Sequence, residues 1–486
     1  MIDLDLLRSA PDLVREGITA KRLGDPDAVD RALAADTARR AAVTKAQELR
    51  QAQGEVSAQI GPLMKAGKRE EAAPLVEQSN TFKAQIKDLD AEIRVAEATL
   101  RDALLAIPNP PHASVPVGGE DANELVFEWG DKPAFDFEAL PHWDLADTHG
   151  LIDFERGSKV TGAGFPFYVG KGARLQRGLI QLFLDLATDA GYTEIQPPLL
   201  FNEDSGIGTG QLPDKEGQMY RVPMNETDVS SELDRGMSVI FDFSKSAEDR
   251  LFFNKESADE MRELGLNSIE YYETKLDEVR NSVIGRLSDF YLVPTSEVAL
   301  VNYRRDEILD EGNLPLRYTA YTPCFRREAG SYGKDVRGLN RLHQFDKVEV
   351  VEFCRPEDSY DRLEALREVA ERAVQTLGLP YRRLVLATGD LGMTQTKTYD
   401  LEVWSAGQER WLEVSSISNI EAYQARRANI RYRPEGGKPQ FVHTLNASAL
   451  ALPRIVAALL EQGQMEDRSI RLPTPLAERT GFDRID

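Results

Sequence analysis

Cysteine is almost absent from this chain. Only Cys324 and Cys354 occur in 486 residues, so a reducing cytoplasm is the expected setting. The five histidines (His112, His142, His149, His343 and His443) are scattered, with no HExxH or comparable ligand spacing, so no zinc site is expected. No apolar run approaches the roughly 20 residues of a membrane helix, and no membrane partner is expected. The opening MIDLDLLRSAPDLVRE is acidic and amphipathic, unlike a signal peptide. There is no GxxxxGKS/T and no GxGxxG following a strand, so neither a P-loop nor a Rossmann site is supported. Positive charge is also short. The net charge of −22 argues against indiscriminate nucleic-acid binding but leaves room for a local binding surface.

What is present fits a globular protein of two to four domains, with 41% hydrophobic and 29% charged residues. Residues 29–60 and about 72–105 are rich in Ala, Glu, Gln, Lys and Arg. Phe82, Ile86, Leu89, Ile93, Ala96 and Leu100 follow each other at alternating steps of four and three, a heptad seam. Val43, Ala46, Leu49, Val56 and Ile60 keep a looser version. Gly61-Pro62 is expected to end the first helix, and the pattern resumes after Pro74. The two helices should fold back as an antiparallel coiled-coil arm about 50 Å long. Residues 29–104 carry twelve basic and twelve acidic side chains, so this arm is neutral in an acidic chain and can approach a polyanion. On this feature alone a dimerisation coiled coil is the favoured reading. The proline-rich IPNPPHASVPVGGEDANE then reads as an extended linker.

Beyond residue 150, helical segments alternate with β-rich runs. GLIQLFLDLATDAGY reads as a helix ending near Gly191. FYLVPTSEVAL, RYTAYTPCFRRE, HQFDKVEVVEF, YRRLVLATG, YDLEVWSAG and ERWLEVSSIS read as strands. Alternation dominates, so the expected fold is α+β, an antiparallel sheet with flanking helices. CFRREAGSYGKDVRGLNRLHQFDKVE (324–349) reads as two antiparallel strands joined by a flexible basic loop. Arg326 and Glu328, two apart, should share a strand face, opposite Phe345, Asp346, Lys347 and Glu349 on the return. One patch would then offer a guanidinium for phosphate, an aromatic for a base and carboxylates for amines, a nucleotide site without a P-loop. The Arg-x-Glu pair alone fits a charged solvent face better; the whole array argues for a site.

This hairpin resembles motif 2 of a bacterial-type seryl-tRNA synthetase, a class II aminoacyl-tRNA synthetase. AGYTEIQPPLL resembles motif 1, at the dimer interface, and LNASALALPRIVAALLEQ resembles motif 3. GTGQLP, VPTSE, TYDLEVW and EVSSISNIEAYQARR are similar to further blocks of the same family. The resemblance covers nearly the whole chain. It implies a tRNA-binding helical arm over 1–110 with its coiled coil at about 29–105, a linker and catalytic-domain start over 111–150, and a class II catalytic domain over 151–486. It also implies a homodimer that activates L-serine with ATP and transfers it to tRNA(Ser), with tRNA(Sec) as a second candidate acceptor.

The same resemblance implies the site residues. Arg326 contacts the ATP α-phosphate and the seryl carboxylate, and Arg454 holds the γ-phosphate; these two are the catalytic candidates. Phe345 stacks on adenine, Glu328 reads its edge, and Arg327, Glu413, Val414, Ser415 and Ser416 complete the ATP set. Glu413 and Ser416 are the expected Mg²⁺ ligands, hard oxygens suited to that ion. Thr295, Ser296, Glu297, Arg326, Glu349, Asn446 and Ser448 form the serine pocket, where paired hydrogen bonds reject alanine. Taken singly, Phe345 fits a core residue, Arg454 a surface arginine, and Glu413 with Ser416 a buried strand end.

The chain departs from the usual family pattern at several points. Arg327 stands where serine is frequent, Ile417 where cysteine is frequent, and Ala447, Ala449 and Pro453 where glycines are often seen. About 63 extra residues, 226–288, carry 15 acidic and 8 basic side chains. Ile269, Tyr272, Leu276, Val279 and Val283 would share a helical face there. That acidity argues against a tRNA-phosphate role. Two other readings compete with the ligase: a paralogue activating an amino acid for a carrier protein, and a catalytically inactive RNA-binding protein. The arm speaks against the first, the intact site residues against the second.

Overall fold

The computed structural model describes residues 1–214, 217–223, 290–328 and 337–486. The expected insert at 226–288 lies outside these residues. Helices Ala28–Lys65 and Arg69–Ala106 form the N-terminal pair, each roughly 57 Å long at 1.5 Å per residue. Arg39 meets Glu97, Arg50 meets Asp90 and Ser57 meets Ser79 across the pair, so the helices run antiparallel. Ala46, Val56, Ile86, Leu89 and Leu100 are buried along the seam. One expectation fails: Gly61-Pro62 does not end the first helix, and Pro74 lies inside the second. Each proline removes one backbone bond. Both lie near the tip of the pair, where the orphaned carbonyls can meet water.

The body that follows the helical pair is built on an eight-stranded sheet. Its order is Glu124–Trp129, Tyr381–Val385, Lys397–Ser405, Arg410–Glu421, His443–Ala451, Gln344–Cys354, Leu316–Phe325 and Thr193–Glu194. All neighbours are antiparallel except the last pair. Alternation along Gln344–Cys354 sorts the two faces. Val348 and Val350 join a core formed with helices Lys171–Asp189, Ser359–Thr376 and Leu452–Gly463. Phe345, Lys347 and Glu349 turn the other way, into a cavity. Asp346 therefore does not join them, contrary to expectation. It accepts from Tyr321 Oη and Gln176 Nε2, each at 2.7 Å, on the helix side.

FYLVPTSEVAL is not one strand. Phe290–Leu292 is extended, and helix Glu297–Asn302 follows the PTS turn. The strand Leu316–Phe325 stops before Arg326. Arg326 and Glu328 thus lie past its end, with Glu328 at φ +47°, and do not share a strand face. Pro453 falls in the first turn of Leu452–Gly463, where its missing N–H is harmless.

The arm's base grips the body. Lys21 is fully buried and donates to the carbonyls of Gly392 (2.8 Å) and Gln395. Burial pushes its pKa down to about 7. Asn109 donates to Thr394 O and Ile420 O at 2.9 Å, and Tyr423 Oη to Ile107 O at 2.7 Å. Among the described residues, no helix is long and apolar enough to cross a membrane.

Candidate active site

A cavity of about 450 Å³ opens on the other sheet face, where the first turn of Leu452–Gly463 also reaches it through Pro453 and Arg454. It gathers most of the expected residues: Thr295, Glu297, Arg326, Glu328, Phe345, Glu349, Glu413, Val414, Ser415, Ser416, Asn446, Ser448 and Arg454 all line it. Arg327 and Ser296 do not. Arg327 is exposed, and its backbone N–H donates to Gln218 O at 2.8 Å. Ser296 is fully buried and shares a hydrogen bond of 2.8 Å with Thr322 Oγ1. Gln211, Asn340, Arg341, Gln395 and Ser418 also line the cavity, none of them among the expected site residues; Lys347 lines it too, as the hairpin pattern predicts. Gln211 and Lys347 stand inside the GTGQLP and HQFDKVE blocks; Asn340 and Arg341 sit at the foot of the basic loop. Ile417 is wholly buried in the core.

One end of the cavity is suited to a nucleotide. The Arg326 guanidinium lies 5.3 Å from the Phe345 ring centre, and Arg326 N–H donates to His343 O at 2.9 Å. Glu328 pairs with Arg341 across the foot of the loop. Arg454 reaches Glu413 O (2.7 Å) through Nη1 and Asn340 O (3.2 Å) through Nε. Its guanidinium lies 3.5 Å from the Glu413 carboxylate.

Glu413 and Ser416 differ by three positions, which in a regular strand would send them to opposite faces. The register shifts between Leu401 and Glu402, leaving Val414 as the extra residue of a bulge. That bulge resets the alternation and puts both oxygens in the cavity. A second irregularity lies between Lys347 and Glu349, opposite Ser448 and Ala451, and Leu450 there sits at φ +96°.

The other end is small and polar. Lys347 Nζ lies 2.6 Å from Glu349 Oε2 and donates to Thr295 Oγ1 at 2.7 Å. Asn446 Nδ2 and Ser448 Oγ approach the two Glu349 oxygens at 3.4 and 3.5 Å. Among the described residues Asn446 Oδ1 is buried without a partner, an acceptor left for a ligand donor. Glu297 accepts from Gln424 Nε2 at 2.6 Å. Burial first, and the Glu349 charge second, push its pKa up to about 7.

Comparison with known proteins fits this geometry. Residues 282–463 match the tRNA synthetase class II core domain (G, H, P, S and T), which defines the class of the catalytic body. Residues 1–111 match the seryl-tRNA synthetase N-terminal domain. The serine–tRNA ligase of Salinibacter ruber is 50% identical, covering 100% of this chain and 99% of its own. That of Geobacillus kaustophilus is 43% identical, with 99% of both covered. The crystal structure of seryl-tRNA synthetase from Pyrococcus horikoshii complexed with ATP is similar at a TM-score of 0.81 and 31% identity, covering 100% of this chain and 99% of that one. The chain belongs to the seryl-tRNA synthetase family, ATP-dependent aminoacyl-tRNA synthetases of class II.

Proposed function

We propose that the chain activates L-serine with ATP and transfers the seryl group to the 3′ end of tRNA(Ser). The observation that carries this reading is one cavity lined by two unlike sets of side chains. One set is Arg326, Phe345 and Arg454; the other is the Glu349–Asn446–Ser448 cluster, with Asn446 Oδ1 unpartnered among the described residues.

In the first step a serine carboxylate oxygen bonds to the ATP α-phosphorus. The bond to the β-phosphate oxygen breaks and pyrophosphate leaves. Arg326 neutralises charge at the α-phosphate and the carboxylate, and Arg454 holds the γ-phosphate. Phe345 supplies a stacking face for adenine, and Glu328 reads its edge. In the second step the terminal ribose hydroxyl of tRNA attacks the seryl carbonyl, and AMP leaves. No enzyme nucleophile is needed; positioning and charge carry the rate.

Serine's ammonium is attracted by Glu297 and Glu349, with Thr295 beside them. Its hydroxyl is met by Asn446 and Ser448. Alanine would leave these buried polar groups unpaired, the basis for rejecting it.

The Glu413 carboxylate and Ser416 hydroxyl are hard oxygen donors on one face, a set that fits Mg²⁺. Behind them Asp400 Oδ1 is buried and, among the described residues, unpartnered. Burial, then the Glu413 charge, raise the Asp400 pKa well above the ordinary carboxylate range, against a hydrogen bond with Ser416. When bound, the ion would neutralise phosphate charge.

The neutral helical pair is the proposed tRNA grip; Arg40 and Lys45 line a shallow groove on it with Thr37 and Thr44. The division into an arm (1–110), a linker (111–150) and a catalytic domain (151–486), the homodimer and the cytoplasmic setting belong to the same reading. Serine-dependent ATP–pyrophosphate exchange, then charging of tRNA(Ser) and tRNA(Sec) transcripts, tests it. Sedimentation equilibrium tests the dimer.

A further inference from the structure

A fully buried cluster lies just behind the cavity, apart from the residues assigned to ATP and serine. His142 opens the helix His142–Thr148, and Glu461 lies on Leu452–Gly463, two turns beyond Arg454. Both side chains are wholly buried.

Glu461 Oε1 accepts from His142 N (2.9 Å), His142 Nδ1 (2.8 Å) and Gln408 Nε2 (3.2 Å). Its Oε2 accepts from Gly407 N (3.0 Å) and Ser405 Oγ. Burial alone would raise this carboxyl's pKa; the His142 and Ser405 bonds outweigh it and hold the group below its ordinary value. Five donors on one carboxylate make a rigid anchor.

The anchor fixes the histidine, and the histidine fixes a turn. Its Nδ1 donates to Glu461, so Nε2 is free to accept, and it takes the Leu339 backbone N–H at 2.9 Å. Gly338 sits at φ +69°, and a Cβ there would collide with His142 Nε2. The residue after Leu339, Asn340, donates through Nδ2 to Gln408 Oε1 at 2.8 Å. Its carbonyl accepts from Arg454 Nε at 3.2 Å. A continuous chain of contacts therefore runs from Glu461 through His142 and residues 338–340 to the Arg454 guanidinium.

We infer that His142, oriented by Glu461, is a positioning residue for the nucleotide: it holds the 338–340 turn whose Asn340 carbonyl aims Arg454 at ATP. The inference rests on the reading of Arg454 as a phosphate ligand. A misaimed guanidinium loses charge-assisted bonds to the triphosphate, while the serine pocket at the far end is untouched.

Two conservative variants separate the two bonds of the histidine. His142→Asn keeps a donor near the Nδ1 position and loses the acceptor at Nε2. His142→Gln places an oxygen near Nε2 and loses the donor. Both are small polar changes whose folding is checked by thermal melting. In serine-dependent ATP–pyrophosphate exchange, His142→Asn should raise KM for ATP about tenfold and leave KM for serine within about twofold. His142→Gln keeps the acceptor but loses the Glu461 bond that orients it, so its KM for ATP should rise clearly less than that of His142→Asn, with KM for serine again within about twofold. In an Arg454→Ala background, His142→Asn should add nothing to KM for ATP, since the two act as a unit.

Equal effects of the two variants would overturn the inference. So would parallel movement of both KM values, or additivity with Arg454→Ala. If His142→Asn melts early, the Arg454→Ala comparison still decides, because a general weakening would add to it. An active parent with an unaltered His142→Asn enzyme removes only this inference. A parent without exchange removes the serine-activation reading and this inference with it.

Discussion

Lys347 Nζ lies 2.6 Å from Glu349 Oε2, and the two side chains are 7% and 1% exposed. This buried pair links the floor of the serine pocket to Thr295, which accepts from the same ammonium. Removing one member of a buried pair leaves the other uncompensated, at a typical loss of about 3–5 kcal/mol. Lys347→Met should therefore lower unfolding free energy by about 3 kcal/mol in urea titration. It should also raise KM for serine more than KM for ATP. A loss under about 1 kcal/mol would mean the pair is effectively solvated.

Arg454 has no carboxylate closer than the 3.5 Å contact with Glu413 among the described residues, and its guanidinium can turn to meet phosphate. Arg454→Ala should lower kcat/KM for ATP about 10- to 100-fold, the value of one or two charge-assisted hydrogen bonds. Its melting temperature should stay near the parent's. An effect on serine alone would reassign the residue.

Serine binding should strengthen as pH rises from about 6 to about 8. Glu297 has its pKa pushed up to about 7 by burial and then by Glu349. It gains its charge through this window, while serine's ammonium keeps its proton. KM for serine should therefore fall with pH, and Glu297→Gln should flatten the profile. Stability runs the other way. The folded pKa is above the unfolded one, so the native state binds the proton more tightly. The stability this group contributes is complete below the ordinary carboxylate range and is lost as pH rises toward 7. A serine KM that rises over this window would contradict the assignment.

Much of this was legible in the chain, for reasons that differ by element. The heptad seam marked the helical pair because period 3.5 is written in Ile86, Leu89, Ile93 and Leu100. Alternation in HQFDKVEVVEF marked the central strand Gln344–Cys354. The hidden parts were those that break periodicity. The bulge at Val414, which brings Glu413 and Ser416 to one face, leaves no mark in residue type. Strict alternation sends Asp346 to the face opposite Phe345, but which face holds the cavity is decided by packing across the sheet. Pro62 marks a helix stop in the sequence and Pro74 a restart, yet each 38-residue helix absorbs its one missing bond. His142 and Glu461 were invisible because their partnership joins residues 319 positions apart.

The arm should matter for tRNA and not for adenylate formation. Replacing Arg40 and Lys45 by Ala should reduce serylation kcat/KM and make tRNA binding less sensitive to salt. The log–log salt slope should shrink by roughly 0.9 for each phosphate that is no longer neutralised. Pyrophosphate exchange without tRNA should be unchanged. Loss of exchange would place the arm in the chemistry of the first step.

Chelation should abolish exchange and excess Mg²⁺ restore it. Glu413→Gln should raise the Mg²⁺ concentration needed for half-maximal rate several-fold, at unchanged KM for serine. An unchanged Mg²⁺ requirement would remove Glu413 from the proposed ligands.

The most direct test is ATP–pyrophosphate exchange on the full chain with serine, alanine, threonine or glycine, followed by charging of tRNA(Ser). The account predicts exchange with serine well above the other three, and seryl transfer to the tRNA. Exchange without charging, or exchange indifferent to the amino acid, would contradict it.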